Sequence, residues 1–230
     1  MRQVSWLGVV RHGESVGNVA AQRAEAAGAD RVELDTPDAD TPLSPTGREQ
    51  ATALGRWLAA DPPDVVIAST YLRARQTAEL ALTQLADRPP LRIDERLRDR
   101  ELGILDRITH RGLARLFPEE DARRRFNGVF YYRPPGGESW ADGALRLRSF
   151  LRDLPDWYPG GKVLLVAHEA IVMILRYLVE QLTVDDLLDL SRGRLRNAGL
   201  TDWRDTGDGL RLVAYDRPTG SAPTTRQDNL

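Results

Sequence analysis

The sequence contains no cysteine. That one absence excludes disulfides, thiolate metal sites and cysteine nucleophiles, and it fits a reducing compartment. An excess of charge of one sign is missing too. With 32 Lys and Arg against 34 Asp and Glu the formal net charge is −2, and the pI is near 6.0. A general nucleic-acid binder would carry a strong basic excess, so that class is set aside. Long hydrophobic runs are also absent. The longest, VLLVAHEAIVMIL from Val163 to Leu175, contains ionisable groups and falls short of the roughly 20 apolar residues that span a bilayer. The opening MRQVSWLGVVRHGE has too short an apolar run for a signal peptide and ends in charge. Together these absences predict a cytoplasmic protein with neither nucleic acid nor membrane among its partners.

What is present is an alternation of strand-like and helix-like segments. The 230 residues suit one α/β domain, at most with a lid. Val4–Val10, Asp64–Ala68 and Lys162–Ala167 read as buried strands, and Pro89–Asp94 as a short edge strand kept from the centre by its prolines. Ala198–Trp203 and Leu210–Tyr215 read as late strands joined by a DTGDG turn. Helices are expected over Ser15–Gly28, from Ser44 and Pro45 onward as cap and first position, after a cap at Ser69 or Thr70, and over Thr109–Phe117, Ser139–Leu154 and Ala170–Gln181. The stretch Gly28–Pro42 reads as an acidic surface excursion without an apolar period. Strands alternating with helices imply a mostly parallel sheet covered on both faces. Residues 1–216 form the single expected domain, and 217–230 a polar, frayed tail.

Three of the apolar strands deliver basic side chains at their carboxyl ends. GVV leads into Arg11 and His12, DVVIAST into Arg73 one turn later, and VLLVA into His168. Ligands of open α/β sheets bind at that edge. Two arginines and two histidines meeting there make a pocket for a dianion, since guanidinium groups bind phosphate oxygens in pairs. No metal site is evident, because both histidines keep cationic company and His110 lies in an unremarkable ITHRG context. A nucleophilic-serine elbow and a phosphate loop with its lysine are both missing. Arg123–Arg125 follow Glu119–Asp121 at helical spacing, which reads mainly as ion pairs on a solvated face.

RHGESVGN, ASTYLRARQTA, LRDRELG and LLVAHEA, in this order, resemble the motifs of the histidine phosphatases, the phosphoglycerate mutase-like superfamily. The resemblance runs from about Val4 to Trp203. It implies a three-layer αβα fold, a mostly parallel central sheet and an inserted helical lid at about residues 104–138. It also implies a phosphorylated small-molecule substrate, inorganic phosphate as product, no cofactor and no metal. A homodimer is compatible with it. His12 would be the nucleophile, forming a phosphohistidine and splitting one hard displacement into two easier ones. Arg11, Arg73 and His168 would hold the phosphoryl oxygens. Ser15, Asn18, Glu169 and Arg125 are the further expected substrate contacts, and Gly13 is expected to let the chain turn tightly.

The proton donor departs from the family pattern. The usual Glu of an L-x-E-x-x-x-G segment is Asp99 here, with Glu101 two residues later. Glu169, directly after His168, is a further candidate, as in the phytase-like branch. Asp99 is the preferred acid, with shorter reach than Glu. Within the family, the lid and second-histidine segments look like the bisphosphatase domain of the bifunctional fructose-2,6-bisphosphate enzyme. Arg125 matches one of its substrate-binding arginines. Glu169, Met173 and Val129 replace a Gln, an Arg and a Lys, which argues against the same substrate. The expected function is metal-independent phosphomonoester hydrolysis. A phosphoglycerate-type mutase is the second reading, weakened because the sequence between the second motif and the lid does not resemble theirs. A non-catalytic phospho-ligand binding module is the third.

Overall fold

The computed structural model describes residues 3–220. In chain order the elements are β1 (Trp6–Arg11), α1 (Val16–Ala26), α2 (Pro45–Leu58), β2 (Val65–Ala68), α3 (Leu72–Leu82), β3 (Leu91–Ile93), α4 (His110–Leu116), α5 (Pro118–Asn127), α6 (Trp140–Trp157), β4 (Lys162–Ala167), α7 (Glu169–Val179), α8 (Val184–Leu190), β5 (Leu200–Asp205) and β6 (Leu210–Arg217). One six-stranded sheet has the order β3-β2-β4-β1-β5-β6. β1, β2, β3 and β4 pair in parallel, and β5 runs antiparallel to both of its neighbours.

Side-chain alternation sorts the central strands between two apolar layers. Leu7, Val9, Val65, Ile67, Val163 and Leu165 face one way and pack with Leu147, Phe150 and Leu154 of α6 and Ile171 and Ile174 of α7. Trp6, Val10, Val66, Ala68, Leu164 and Val166 face the other way, against Leu54 and Leu58 of α2 and Ala74 and Ala78 of α3. The expected three-layer αβα architecture is therefore present. No helix among the described residues is long and apolar enough to cross a membrane.

Several local expectations change. Ser44 caps α2 as anticipated, its hydroxyl accepting from Gly47 N–H at 3.0 Å. Neither Ser69 nor Thr70 caps α3, which begins after Tyr71 without a side-chain cap. The Ser69 hydroxyl instead accepts from Tyr71 N–H and faces His168. α5 carries the ion pairs expected from the helical spacing of residues 119–125, whereas α8 is an element the sequence reading lacks. α5 is strongly polar and starts on Pro118 with three acidic residues in its first turn, while α8 is announced only by the capping box of Thr183 and Asp186. β6 continues through Arg217, beyond the expected start of the tail, and Thr219 is buried with its hydroxyl on the Ala198 carbonyl. The rest of the expected tail, residues 221–230, lies outside the described residues.

Candidate active site

The carboxyl ends of β1, β2 and β4 lie side by side, so the sheet brings Arg11, His12, Arg73 and His168 together. Arg11 ends β1 and His12 follows it, Arg73 is in the first turn of α3 after β2, and His168 follows β4. The two imidazole rings lie 5.2 Å apart.

His12 is 3% exposed. Its Nδ1 lies 2.7 Å from the Gly13 carbonyl, which can only accept, so Nδ1 carries the ring hydrogen. Arg73 Nε, which can only donate, lies 3.1 Å from Nε2. Both partners therefore require a lone pair on Nε2. Burial, then the positive charges of Arg73, His168 and Arg11, hold the His12 pKa well below 6.5, so the imidazole is neutral at neutral pH.

His168 is fully buried, and burial followed by Arg73, Arg146 and Arg11 pushes its pKa down as well. Its Nε2 lies 2.7 Å from the Ser69 hydroxyl. Its Nδ1 has no hydrogen-bond partner and faces Asp99 Oδ2 across 3.4 Å. That same Asp99 oxygen lies 3.3 Å from Arg73 Nη2. The Asp99 carbonyl accepts from Arg146 at 3.2 Å, and Arg146 in turn pairs with Glu138 at 3.0 Å.

The other expected residues fall into two groups. Glu169 pairs with Arg11 at 3.0 Å through Oε2, and its Oε1 accepts from Leu195 N–H at 3.1 Å. Both of its oxygens are thus engaged in orienting Arg11, whose Nη1 also donates to the Leu195 carbonyl. Glu101 accepts from the Tyr71 hydroxyl at 2.9 Å. Burial and that bond push the Tyr71 pKa upward, so the phenol remains a donor. Asn18 Oδ1 accepts from Ser15 N–H and Asn197 Nδ2, each at 3.1 Å. Ser15 is buried and caps α1 through its hydroxyl, a structural role in place of the expected substrate contact. Arg125 is the clearer correction. It is exposed on α5 and pairs with Asp121 at 2.9 Å, as i,i+4 spacing favours, and is not part of the cluster.

Gly13 is required by a close approach. A Cβ there would lie 2.5 Å from the Gly47 carbonyl oxygen, and a Cβ on Gly47 would lie 1.9 Å from the Glu14 oxygen. Backbone meets backbone at this point, which fixes the loop carrying His12 against α2.

Sequence reasoning missed Ser69, Tyr71, Thr77, Arg146, Asn197 and Asp38. Ser69 and Tyr71 follow β2 directly, and the AST stretch was a readable signal. Asn197 donates to the His12 carbonyl at 3.0 Å, and Ala198 N–H donates to the Arg11 carbonyl at 2.9 Å. Nothing local announces these two, since they depend on β5 lying beside β1.

A cleft of about 490 Å³ opens beside Asp99, lined by Asp38, Tyr71, Glu101, Asp106, Arg107 and Trp140 among others. A larger cavity of 890 Å³, between α6, α7 and the β5–β6 turn, holds none of these groups. Among the described residues no three His, Asp or Glu side chains converge where a metal ion could sit.

The model of the histidine phosphatase superfamily (branch 1) matches residues 7–217. The chain belongs to that superfamily. Two curated histidine phosphatase relatives illustrate its range. A 2,3-bisphosphoglycerate-dependent phosphoglycerate mutase of Gloeobacter violaceus is 35% identical over 180 residues, 75% of this chain and 76% of that one. A glucosyl-3-phosphoglycerate phosphatase of Mycolicibacterium vanbaalenii is 36% identical over 162 residues, 64% of this chain and 67% of that one. The structure of a mycobacterial glucosyl-3-phosphoglycerate phosphatase with inorganic phosphate superposes with a TM-score of 0.73 at 26% identity, covering 96% of this chain and 100% of that one. Relatives thus include both mutases and phosphatases, so overall similarity does not choose between the two activities.

Proposed function

We propose that this histidine phosphatase hydrolyses phosphomonoesters without a metal, through a phosphohistidine on His12. The observation that carries the reading is the one-way hydrogen bonding of His12, which leaves a buried, neutral ring with its lone pair on Nε2. In the first step Nε2 attacks phosphorus and the bond to the leaving oxygen breaks. Asp99 gives that oxygen a proton. In the second step water attacks the phosphohistidine, Asp99 takes the water's proton, the P–N bond breaks and the electron pair returns to Nε2. Arg11, Arg73 and the unpartnered Nδ1 of His168 stabilise the phosphoryl oxygens throughout, the two arginines supplying charge that a metal would otherwise provide and the neutral His168 a hydrogen bond. Residues 104–138 act as the lid in this reading.

Charge pairing in the cleft supports hydrolysis over phosphoglycerate interconversion. Arg11 is matched by Glu169, Arg73 by Asp38 and Asp99, and Arg107 by Asp106. The Arg100 side chain, also on the cleft wall, donates to the Glu138 carbonyl and has no carboxylate partner among the described residues. A mutase must hold a second anionic group of its substrate, and the cleft rim is rich in carboxylates. A single phosphoryl group on an uncharged body fits better. The test is a panel of phosphorylated metabolites together with p-nitrophenyl phosphate, assayed with wild type and His12→Ala. Wild type should release phosphate, be inhibited competitively by vanadate and form an acid-labile, base-stable phosphoenzyme, all lost in His12→Ala. Ordinary turnover by His12→Ala would overturn the reading. Bisphosphate-dependent interconversion of phosphoglycerates exceeding their hydrolysis would favour the mutase instead.

A further inference from the structure

Asp38 belongs to the acidic excursion between α1 and α2, and no motif gives it a part in the chemistry. The turn carrying it, Asp38–Asp40, is nevertheless well anchored. Thr41, fully buried, donates its N–H to the Asp38 carbonyl at 3.2 Å and its hydroxyl to the Pro37 carbonyl at 3.3 Å. Val16 N–H donates to the Pro42 carbonyl at 3.0 Å, and Ser15 bridges to Leu43, which ties the returning chain to the start of α1.

A guanidinium has five N–H groups, and all five of Arg73 have acceptors. Nε donates to His12 Nε2 at 3.1 Å. Nη1 donates to the Asp38 carbonyl at 2.7 Å and to Asp38 Oδ1 at 3.1 Å. Nη2 donates to Asp38 Oδ2 at 3.0 Å and to Asp99 Oδ2 at 3.3 Å. The group therefore has two working edges. Its end fork, Nη1 with Nη2, is filled by the Asp38 carboxylate in bidentate fashion. Its side fork, Nε with Nη2, faces the nucleophile and the acid.

We propose that Asp38 is a positioning residue that acts through Arg73. It grips the end fork and so presents the side fork to the phosphoryl oxygens, which take the two N–H groups now directed at His12 Nε2 and Asp99 Oδ2. The proposal rests on the phosphohistidine reading of the site. A long arginine side chain has many rotamers, and donors held in place beforehand stabilise a transition state most. Asp38 is not a rival anion in this arrangement, because its carboxylate holds the edge of Arg73 that faces away from the nucleophile.

The test compares wild type, Asp38→Ala, Asp38→Asn and Asp40→Ala, the last an exposed residue of the same turn. Vanadate affinity is measured by titration calorimetry, kcat and KM with p-nitrophenyl phosphate, and folding by thermal melting. Asp38→Ala should bind vanadate about tenfold more weakly. Its kcat should fall on the order of 10- to 100-fold, with a smaller change in KM, as expected for a misaimed group. Asp38→Asn should follow it, because its amide sets N–H donors against a guanidinium that accepts none; it also decides the matter if the alanine variant does not fold. Asp40→Ala should match wild type. Vanadate affinity unchanged in folded Asp38 variants would overturn the proposal, and tighter binding would make Asp38 a competitor. If wild type binds vanadate but hydrolyses nothing, the hydrolase reading fails while the affinity comparison still decides the role of Asp38. If hydrolysis is normal and the variants match wild type, the role of Asp38 fails alone.

Discussion

Replacing Thr77 by valine isolates a single buried contact beneath the nucleophile. Thr77 is fully buried on α3, where its hydroxyl accepts from Gly13 N–H at 3.0 Å and donates to the Arg73 carbonyl at 2.7 Å. Valine keeps the shape and removes the oxygen, so no cavity opens and the main loss is the acceptor for Gly13. The Arg73 carbonyl is less affected, since a helical carbonyl also accepts along its helix. A buried donor left without a partner costs about 1–3 kcal/mol. At about 2–4 °C per kcal/mol for a chain of this size, the melting temperature should fall by about 2–12 °C. The Gly13 residue also supplies the carbonyl that fixes His12 Nδ1, so kcat should fall together with stability. Thr77→Ser retains the hydroxyl and should keep kcat near wild type. Scanning calorimetry and p-nitrophenyl phosphate kinetics on the two variants provide the check. A Thr77→Val protein melting within about 1 °C of wild type, at unchanged kcat, would refute the argument that this hydroxyl holds the nucleophile loop.

Asp99→Asn should barely slow p-nitrophenyl phosphate and should slow an alkyl phosphate by about 100- to 10,000-fold, because only the alkoxide needs a proton as it leaves. The same leaving-group dependence in Glu101→Gln or Glu169→Gln, and not in Asp99→Asn, would move the acid to that residue. The pH dependence of stability follows from the two histidines. Both have folded-state pKa values below the ordinary 6.5, so between those values and 6.5 the unfolded chain binds protons that the native chain does not. Their contribution is therefore complete above pH 6.5 and is lost as pH falls below it, with a slope approaching about 1.4 kcal/mol per pH unit for each histidine. Urea midpoints at pH 7, 6 and 5 measure this, and a midpoint that rises toward pH 5 would contradict it.

The core of the site was legible because it is written at strand ends. Short continuous apolar runs located β1, β2 and β4, and their parallel pairing brings Arg11, Arg73 and His168 to one edge. The expected strand Lys162–Ala167 matches β4 at both bounds, since its five-residue apolar run lies between Lys162 and His168. What failed to show in the sequence was of two kinds. A short helix such as α8, with only seven residues to carry a pattern, exists through its capping box and the burial of Leu187. Residues such as Asp38 and Asn197 bond to groups 35 and 185 positions away, the Arg73 guanidinium and the His12 carbonyl, and one-dimensional pattern carries no record of such contacts. Ser15 and Arg125 failed for a related reason. Motif position assigned them to substrate, whereas a helix cap and an exposed ion pair account for where they stand.

Arg11 and His12 are made well before residues 195–199, whose groups close around them. At about 5–20 residues per second, a ribosome needs roughly 10–40 s to get from one set to the other. Through that interval His12 has no Asn197 on its carbonyl, and Arg11 has neither the Leu195 oxygen nor a Glu169 held by Leu195 N–H. β1 also lacks the antiparallel neighbour that shields its outer edge. The hydrogen bonding around Arg11 and His12 is therefore completed only after residues 195–199 have been made.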